Sequence, residues 1–431
     1  MKFKSPKGTK DYLPEEMIKR QFVLEVIREK FEDYGFDCLE TPIIEDWNLL
    51  AAKCGEEIKQ QIFKFEDKAG RELGLRFDLT VGMARVVANN PQLPKPFKRY
   101  CIAPVWRYED VTKGRKREFW QADIDIVGVK GMEAEAECLA CAVDCIKSLG
   151  FKDFQIVLNN RKVLDGLLKL AEIPLEKNLE VFRAIDKLAK IGKDGVKKEL
   201  ERIGINEEQI KKLFKLLEIK GDVEEVLERA KKLLKGIESA EEGLKELEKI
   251  FELSRIYGFS NYVVISFSLA RGLDYYTGPI FEIVVKTAEK IGSIAGGGRY
   301  DKLIEIFGGK QTPATGISLG IERIVQIMEE EKMFKLPKTK VKVFVANVNE
   351  KVKEEAIKIS QKLRERGIAC QTDLMNRNLT KQLEYCDSVG IPFVLIVGEK
   401  ELREKKFKIR DMEKKIEKRL MLEEIFKLLK G

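Results

Sequence analysis

The segment Val105–Gly128, VWRYEDVTKGRKREFWQADIDIVG, limits the fold more than any other stretch of the chain. Side chains alternate faces along an extended strand. Two strands joined by a basic loop place Arg107 and Glu109 on one face of the first, opposite Trp106 and Tyr108. On the return strand Gln121, Asp123 and Asp125 share a face, and Ala122, Ile124 and Ile126 share the other. One face of this hairpin is therefore apolar. The other carries an arginine, an amide and several acids, with Lys113, Arg115, Lys116 and Arg117 in the loop. Antiparallel sheets often leave one face to water, so these residues alone admit both an ordinary solvated hairpin and a working surface.

The rest of the chain bears on that choice. With 431 residues it divides into two or three domains, and 44% apolar residues suffice for real cores. A net charge of +8 from 80 basic and 72 acidic residues permits a nucleic-acid partner through a local patch without demanding one. The N-terminal MKFKSPKGTKDYLPEEM lacks the apolar core of a signal peptide, and no stretch is long enough to span a bilayer, so a cytoplasmic protein with no membrane partner is expected. Cys138, Cys141 and Cys145 have a metal-like spacing, but they lie in a helical pattern with Leu139, Val143, Ile146 and Leu149. Core packing is the expectation there, and no protein side chains are assigned to a metal. Histidine is absent altogether. That removes the commonest general base and zinc ligand, leaving carboxylates, arginines, tyrosines or the substrate to do any chemistry.

In order, residues 1–14 read as an arm, Glu15–Asp33 as a helix ended by Gly35, and FDCLETPII as a strand with Pro42 in it. QIFKFED and LGLRFDLT form a hairpin across Ala69-Gly70, and Asp78 and Thr80 stand where a helix begins. Capping is the simple role for both. From Arg161 to Ile256 Lys/Glu-rich helical runs carry no catalytic signal of their own. Strands return in NYVVISFSLARGLDYYTGPIFEIVVK, followed by SIAGGGRYDKL and PATGISLGIERIVQIM. The three consecutive glycines match neither the Walker nor the dinucleotide spacing; they serve a close backbone approach or a crowded strand. From about residue 338 short apolar strands alternate with helices, the mark of a mostly parallel sheet.

Together these segments resemble the class II aminoacyl-tRNA synthetases, and among them the histidyl-tRNA synthetases. Glu15–Pro42 looks like motif 1, Val105–Gly128 like motif 2 and GISLGIERI like motif 3, while RGLDYYTG, AGGGRYD and RFDLT resemble histidine-enzyme peptides. The resemblance implies an α+β fold: a catalytic domain on an antiparallel sheet flanked by helices, a helical insertion, and a C-terminal α/β anticodon-binding domain. It places the catalytic domain at 1–160 and 258–330, the insertion at 161–257 and the anticodon-binding domain at 338–431.

It also implies the reaction and the roles: ATP-dependent activation of L-histidine and its transfer to tRNA(His), with Mg2+ on the β- and γ-phosphates, by a homodimer joined through motif 1. Arg107 grips the α-phosphate, Arg323 the γ-phosphate, and Arg271 sits between the α-phosphate and the amino acid's carboxylate. Arginine suits this work because its planar fork stays charged and pairs with phosphate oxygens. Glu109 meets adenine, and Arg115 reaches the ATP tail or the tRNA end. Asp78, Thr80 and Gln121 take the ammonium group; Asp125, Tyr275 and Tyr276 belong to the histidine site, with Asp125 and Tyr276 reading the imidazole. Aspartate is shorter than the family's usual glutamate at 125, which leaves direct and water-mediated contact open. Arg377 and Lys381 are RNA contacts or solvated cations, and Asp123 has no assigned role. The rival readings are a regulatory relative that has lost aminoacylation, another amino-acid specificity, and a plain RNA-binding protein. Retention of Arg107, Arg271 and Arg323 weighs against the first and third, and RGLDYYTG against the second.

Overall fold

The computed structural model describes residues 3–52, 56–112, 115–270 and 275–430. They form two compact units, Met1–Lys10 with Val23–Met333, and Asp11–Phe22 with Phe334–Gly431, so the division falls within the helix Pro14–Asp33.

In chain order the strands of the first unit are β1 Asp37–Cys38, β2 Ile44–Asp46, β3 Lys64–Glu66, β4 Glu72–Leu75, β5 Phe97–Trp106, β6 Glu118–Val127, β7 Phe154–Asn160, β8 Val263–Ile265, β9 Pro279–Val285, β10 Ala295–Arg299 and β11 Ala314–Gly320. Eight of them make one sheet in the order β1-β5-β6-β11-β10-β9-β7-β8. The inner pairs are antiparallel, as the sequence led one to expect, and only the short end strands β1 and β8 pair parallel. β5 contains Pro104, which cannot donate a ladder bond. Its carbonyl accepts from Arg76 Nε at 3.0 Å, so its nitrogen faces away from β6 and no β5–β6 bond is lost.

The register sorts the residues by face. Ala122, Ile124 and Ile126 of β6, Ile317 and Leu319 of β11, and Phe281 and Ile283 of β9 turn to the core and are almost wholly buried. The helices Glu133–Ser148 and Ile321–Glu330 pack there, and Cys138, Cys141 and Cys145 lie within that packing. Burying each such large aliphatic side chain is worth roughly 1.5–3 kcal/mol. The opposite face carries Arg99, Cys101 and Ala103 of β5, Gln121, Asp123 and Asp125 of β6, and Gly316, Ser318 and Gly320 of β11.

A parallel pair needs a crossover. Between β7 and β8 that crossover is the long helical run Arg161–Ile256, whose apolar residues recur at helical spacing, as with Ile210, Leu213, Phe214 and Leu217 of one helix. It belongs to the same compact unit as the sheet.

In the second unit β12 Val343–Asn347, β13 Cys370–Thr372, β14 Phe393–Val397, β15 Phe407–Asp411 and β16 Ile416–Leu420 form a sheet of order β13-β12-β14-β15-β16. The first three are parallel, as the strand–helix alternation indicated; β15 and β16 add an antiparallel hairpin. Its turn is held by Asp411 Oδ1, which accepts from the backbone of Glu413 and Lys414, with Lys415 at a positive φ of 56°.

Candidate active site

The polar face of the large sheet floors a cavity of about 600 Å3. Glycine makes the floor low. A Cβ at Gly316 would lie 2.2 Å from Asp125 Oδ1, and one at Gly298 would lie 2.6 Å from the Pro279 carbonyl and 2.8 Å from the Tyr276 ring. The glycines of β10 thus sit in a crowded strand, one of the two sequence readings, with the neighbouring backbone and the Tyr276 ring where side chains would stand.

One end of the cavity is basic. Arg107 continues the inward face of β5; its Nε donates to the Phe77 carbonyl at 2.9 Å and its guanidinium stands 5.3 Å from the Phe119 ring centroid. Arg323, on the helix after β11, donates to the Ser293 carbonyl at 2.6 Å. Burial lowers the Arg323 pKa, the like charges of Arg115 and Arg107 lower it further, and Glu282 and Glu109 oppose them. Three guanidiniums that repel one another in a partly dry cavity suit an oligo-anion. Arg115 also makes a loose 3.5 Å contact with Glu109. The hairpin carrying these groups is pinned at its root by the N-terminal arm: the Gly8 carbonyl accepts from the backbone N–H of Arg117 at 2.9 Å and of Glu118 at 3.3 Å. Arg117 in turn covers the Tyr108 ring at 3.6 Å. On the return strand, Glu322 Oε2 accepts from the Trp120 N–H at 2.8 Å.

The other end is acidic. Asp78 Oδ1 accepts from the Val81 N–H at 3.0 Å, so the capping role holds, while Oδ2 is buried without a hydrogen-bond partner. Burial raises the Asp78 pKa against the pull of Arg107 and Arg99. Thr80 opens the following helix and is also buried. Gln121 Nε2 donates to Ser318 Oγ at 2.6 Å. Asp125 forms a 2.6 Å ion pair with Arg99, and Tyr300 donates its hydroxyl proton to Asp125 Oδ1. Burial also raises the Asp125 pKa, with Arg99 and Tyr300 acting against it. Tyr275 and Tyr276 lie together, ring centroids 4.9 Å apart, and Tyr275 meets Tyr300 edge-on at 5.8 Å.

Ten of the residues singled out in the sequence thus border one cavity: Asp78, Thr80, Arg107, Glu109, Arg115, Gln121, Asp125, Tyr275, Tyr276 and Arg323. Arg271 lies outside the described residues. Arg377 and Lys381 belong to the second unit, where Arg377 Nε donates to Asp373 Oδ1 at 2.7 Å and its guanidinium stands 4.3 Å from the Tyr385 ring centroid. Sequence reasoning missed Arg99, Tyr300, Ser318 and Glu282. It also treated the helical run as catalytically silent, yet Arg161, Arg183, Lys187 and Lys190 border the cavity. Only strand alternation around Arg99, which sets an arginine among Cys101, Ala103 and Val105, offered a signal.

A cavity with a triple-arginine end and a carboxylate end on a largely antiparallel sheet agrees with the resemblance, and comparison with known proteins decides it. The sequence model for histidyl-tRNA synthetase matches residues 8–324. The chain belongs to the histidyl-tRNA synthetase family. An anticodon-binding domain matches residues 342–431. The histidine–tRNA ligase of Thermococcus kodakarensis is 41% identical over 430 residues, 98% of each chain. That of Pyrococcus furiosus is 39% identical, covering 99% of this chain and 98% of its own. The crystal structure of histidyl-tRNA synthetase from Nostoc sp. PCC 7120 matches with a TM-score of 0.87 at 32% identity, covering 100% of this chain and 99% of the other. As a class II synthetase, the chain has the α+β catalytic architecture of its histidyl-tRNA synthetase relatives.

Proposed function

We propose that the chain activates L-histidine with ATP and transfers the histidyl group to the 3′ end of tRNA(His), in the cytoplasm, for protein synthesis. The observation that carries this reading is the polarity of one cavity, with Arg107, Arg115 and Arg323 at one end and Asp78, Gln121 and Asp125 at the other. Such a site takes a polyphosphate and an ammonium-bearing amino acid side by side.

In the first step a histidine carboxylate oxygen attacks the α-phosphorus, the bond to the bridging oxygen breaks, and its electron pair leaves with pyrophosphate. Arg107 and Arg271 hold the α-phosphate, and Arg323 the γ-phosphate. Glu109 is the adenine contact and Arg115 reaches the ATP tail or the tRNA end. Asp78, Thr80 and Gln121 accept from the ammonium; Asp125, with Tyr275 and Tyr276, faces the imidazole. In the second step a terminal ribose hydroxyl attacks the carbonyl carbon, AMP departs, and an adenylate phosphate oxygen takes the proton. A chain without histidine is suited to a transfer that works by positioning and charge stabilisation.

Mg2+ would ride on the β- and γ-phosphates, with the carboxylates of Glu109 and Glu282, which border the same cavity as Arg323, near it. Bound there, it would neutralise phosphate charge as pyrophosphate leaves. The family's motif 1 dimer is supported by Ile43 and Ile44, which directly follow that segment and are 43% and 47% exposed. In the anticodon-binding domain Arg377 is tied to Asp373, which leaves Lys381 the better phosphate contact. The reading assigns residues 1–160 and 258–330 to a catalytic domain and 161–257 to inserted helices; all of these but residues 11–22 belong to the first compact unit.

Pyrophosphate exchange with each amino acid tests the reading. Exchange with histidine alone, followed by charging of tRNA(His), is the expected result; absence of exchange with histidine would overturn it.

A further inference from the structure

We infer that Asp123 is a further acceptor for the α-ammonium group of the amino acid, beside Asp78 and Gln121, and so helps to select a free α-amino acid. The inference rests on the activity proposed above and adds a residue to it.

β6 presents Asp123 on the cavity face between Gln121 and Asp125, opposite Cys101 of β5 and Ser318 of β11. Ser318 links two of these groups. Its oxygen accepts from Gln121 Nε2 at 2.6 Å, and its hydroxyl, opposite Asp123 in the register, favours the Asp123 carboxylate. The link turns the amide so that Gln121 Oε1 remains an acceptor, and it engages only part of Asp123. Among the described residues four side-chain oxygens bordering the cavity are buried without a hydrogen-bond partner, Asp78 Oδ2, Gln121 Oε1, Asp123 Oδ1 and Asp125 Oδ2. Of these Asp125 Oδ2 is held as an ion pair 2.6 Å from Arg99 Nη2, which leaves three. A buried acceptor left unmet is costly, so three in one cavity describe the ligand that belongs there.

That ligand offers donors only. An alkylammonium group has three N–H bonds and no acceptor, which matches these three oxygens; among the described residues bordering the cavity no buried side-chain donor is left without a partner. The charge agrees. Asp123 feels Arg99 on one side and Asp125 and Asp78 on the other, so this end carries three carboxylates around one buried guanidinium. Asp125 is different in kind, because Arg99 and Tyr300 already engage its two oxygens. Asp123 retains one oxygen for a partner.

The test compares two ligands on the full-length protein: histidine, and imidazolepropionate, which lacks only the amino group. Affinities are measured for wild type, Asp123→Asn and Asp123→Ser. A charge-assisted hydrogen bond of this type corresponds to a loss of roughly ten- to hundred-fold. Both variants should lose affinity for histidine in that range and bind imidazolepropionate as wild type does, with ATP affinity unchanged. Equal weakening of both ligands would assign Asp123 a structural role and overturn the inference, as would an unaltered ratio. If one variant fails to fold, the other carries the same ratio test; if both fail, Asp123 is a structural residue and the inference falls. Wild-type protein that shows no histidine-dependent exchange would instead overturn the activity itself.

Discussion

Arg99 Nη2 lies 2.6 Å from Asp125 Oδ2, and both side chains are almost completely shut off from water, at 1% and 2% exposure. Arg99 also donates to the Leu79 carbonyl at 3.0 Å, in the residue between Asp78 and Thr80. One guanidinium therefore joins the carboxylate expected to face the imidazole to the segment expected to face the ammonium.

Removing that cation strands a buried anion. Arg99→Met should lower stability by ~3–5 kcal/mol, the usual result of breaking a buried pair from one side. Adding Asp125→Asn should restore most of the loss, because a neutral amide needs no counter-charge. Denaturant unfolding of both variants is the measurement; a single variant as stable as wild type would remove Arg99 from its supporting role.

The glycine floor makes a second prediction. In Gly316→Ala the new methyl would meet Asp125 Oδ1 at 2.2 Å and the Ile124 carbonyl at 2.6 Å, and the second of these is backbone that cannot swing aside. Histidine KM should rise at least about tenfold, since displacing the carboxylate forfeits a charged hydrogen bond. Unchanged histidine KM in steady-state exchange would refute it.

Asp123 makes stability depend on pH. Burial, reinforced by Asp125 and Asp78 and opposed by Arg99 and Ser318, pushes its pKa from 3.8 up to about 7. The folded protein therefore holds this proton over a range where the unfolded chain has released it. The resulting stabilisation is complete below the unfolded value of 3.8 and is lost as pH rises through about 7. Asp123→Asn removes the titration. Without ligand, the variant should gain on wild type between pH 4 and 7 by up to ~4 kcal/mol and hold a constant lead above that. Melts across this range decide it; a difference that does not vary with pH would contradict the assignment.

Arg271→Ala examines a role carried by resemblance. Exchange should fall by roughly 100- to 1,000-fold, as when one preorganised donor is taken from a developing charge. Thermal stability should stay as in wild type. Near-normal exchange would take Arg271 out of the reaction.

How far the sequence disclosed all this depends on the kind of signal. The period-two alternation of β5 and β6 is local, so the sidedness of Gln121, Asp123 and Asp125 could be read directly and is what the register shows. The parallel strands of the second unit were equally plain. The β15–β16 hairpin escaped notice because its turn depends on Asp411 and on Lys415 at positive φ, with no glycine to mark it. Arg161, Arg183, Lys187 and Lys190 were not legible as cavity residues. On a charged amphipathic helix a cation that borders a cavity and one that faces water have the same spacing, and only the tertiary fold separates them. Asp125 was found, but Arg99 and Tyr300, which hold it, come from β5 and from just beyond β10. No periodicity within one segment reports a partner from another.

The bond from Gly8 to the root of the motif 2 hairpin reaches past one hundred intervening residues. During synthesis Gly8 is made well before Arg117 and Glu118, and must wait until they have followed before it finds its place. The arm is therefore a late fastening, set over a hairpin that is already made. A change that pulls Gly8 away would loosen the root of the hairpin that carries Arg107 and Arg115, however far from it the numbering makes Gly8 look.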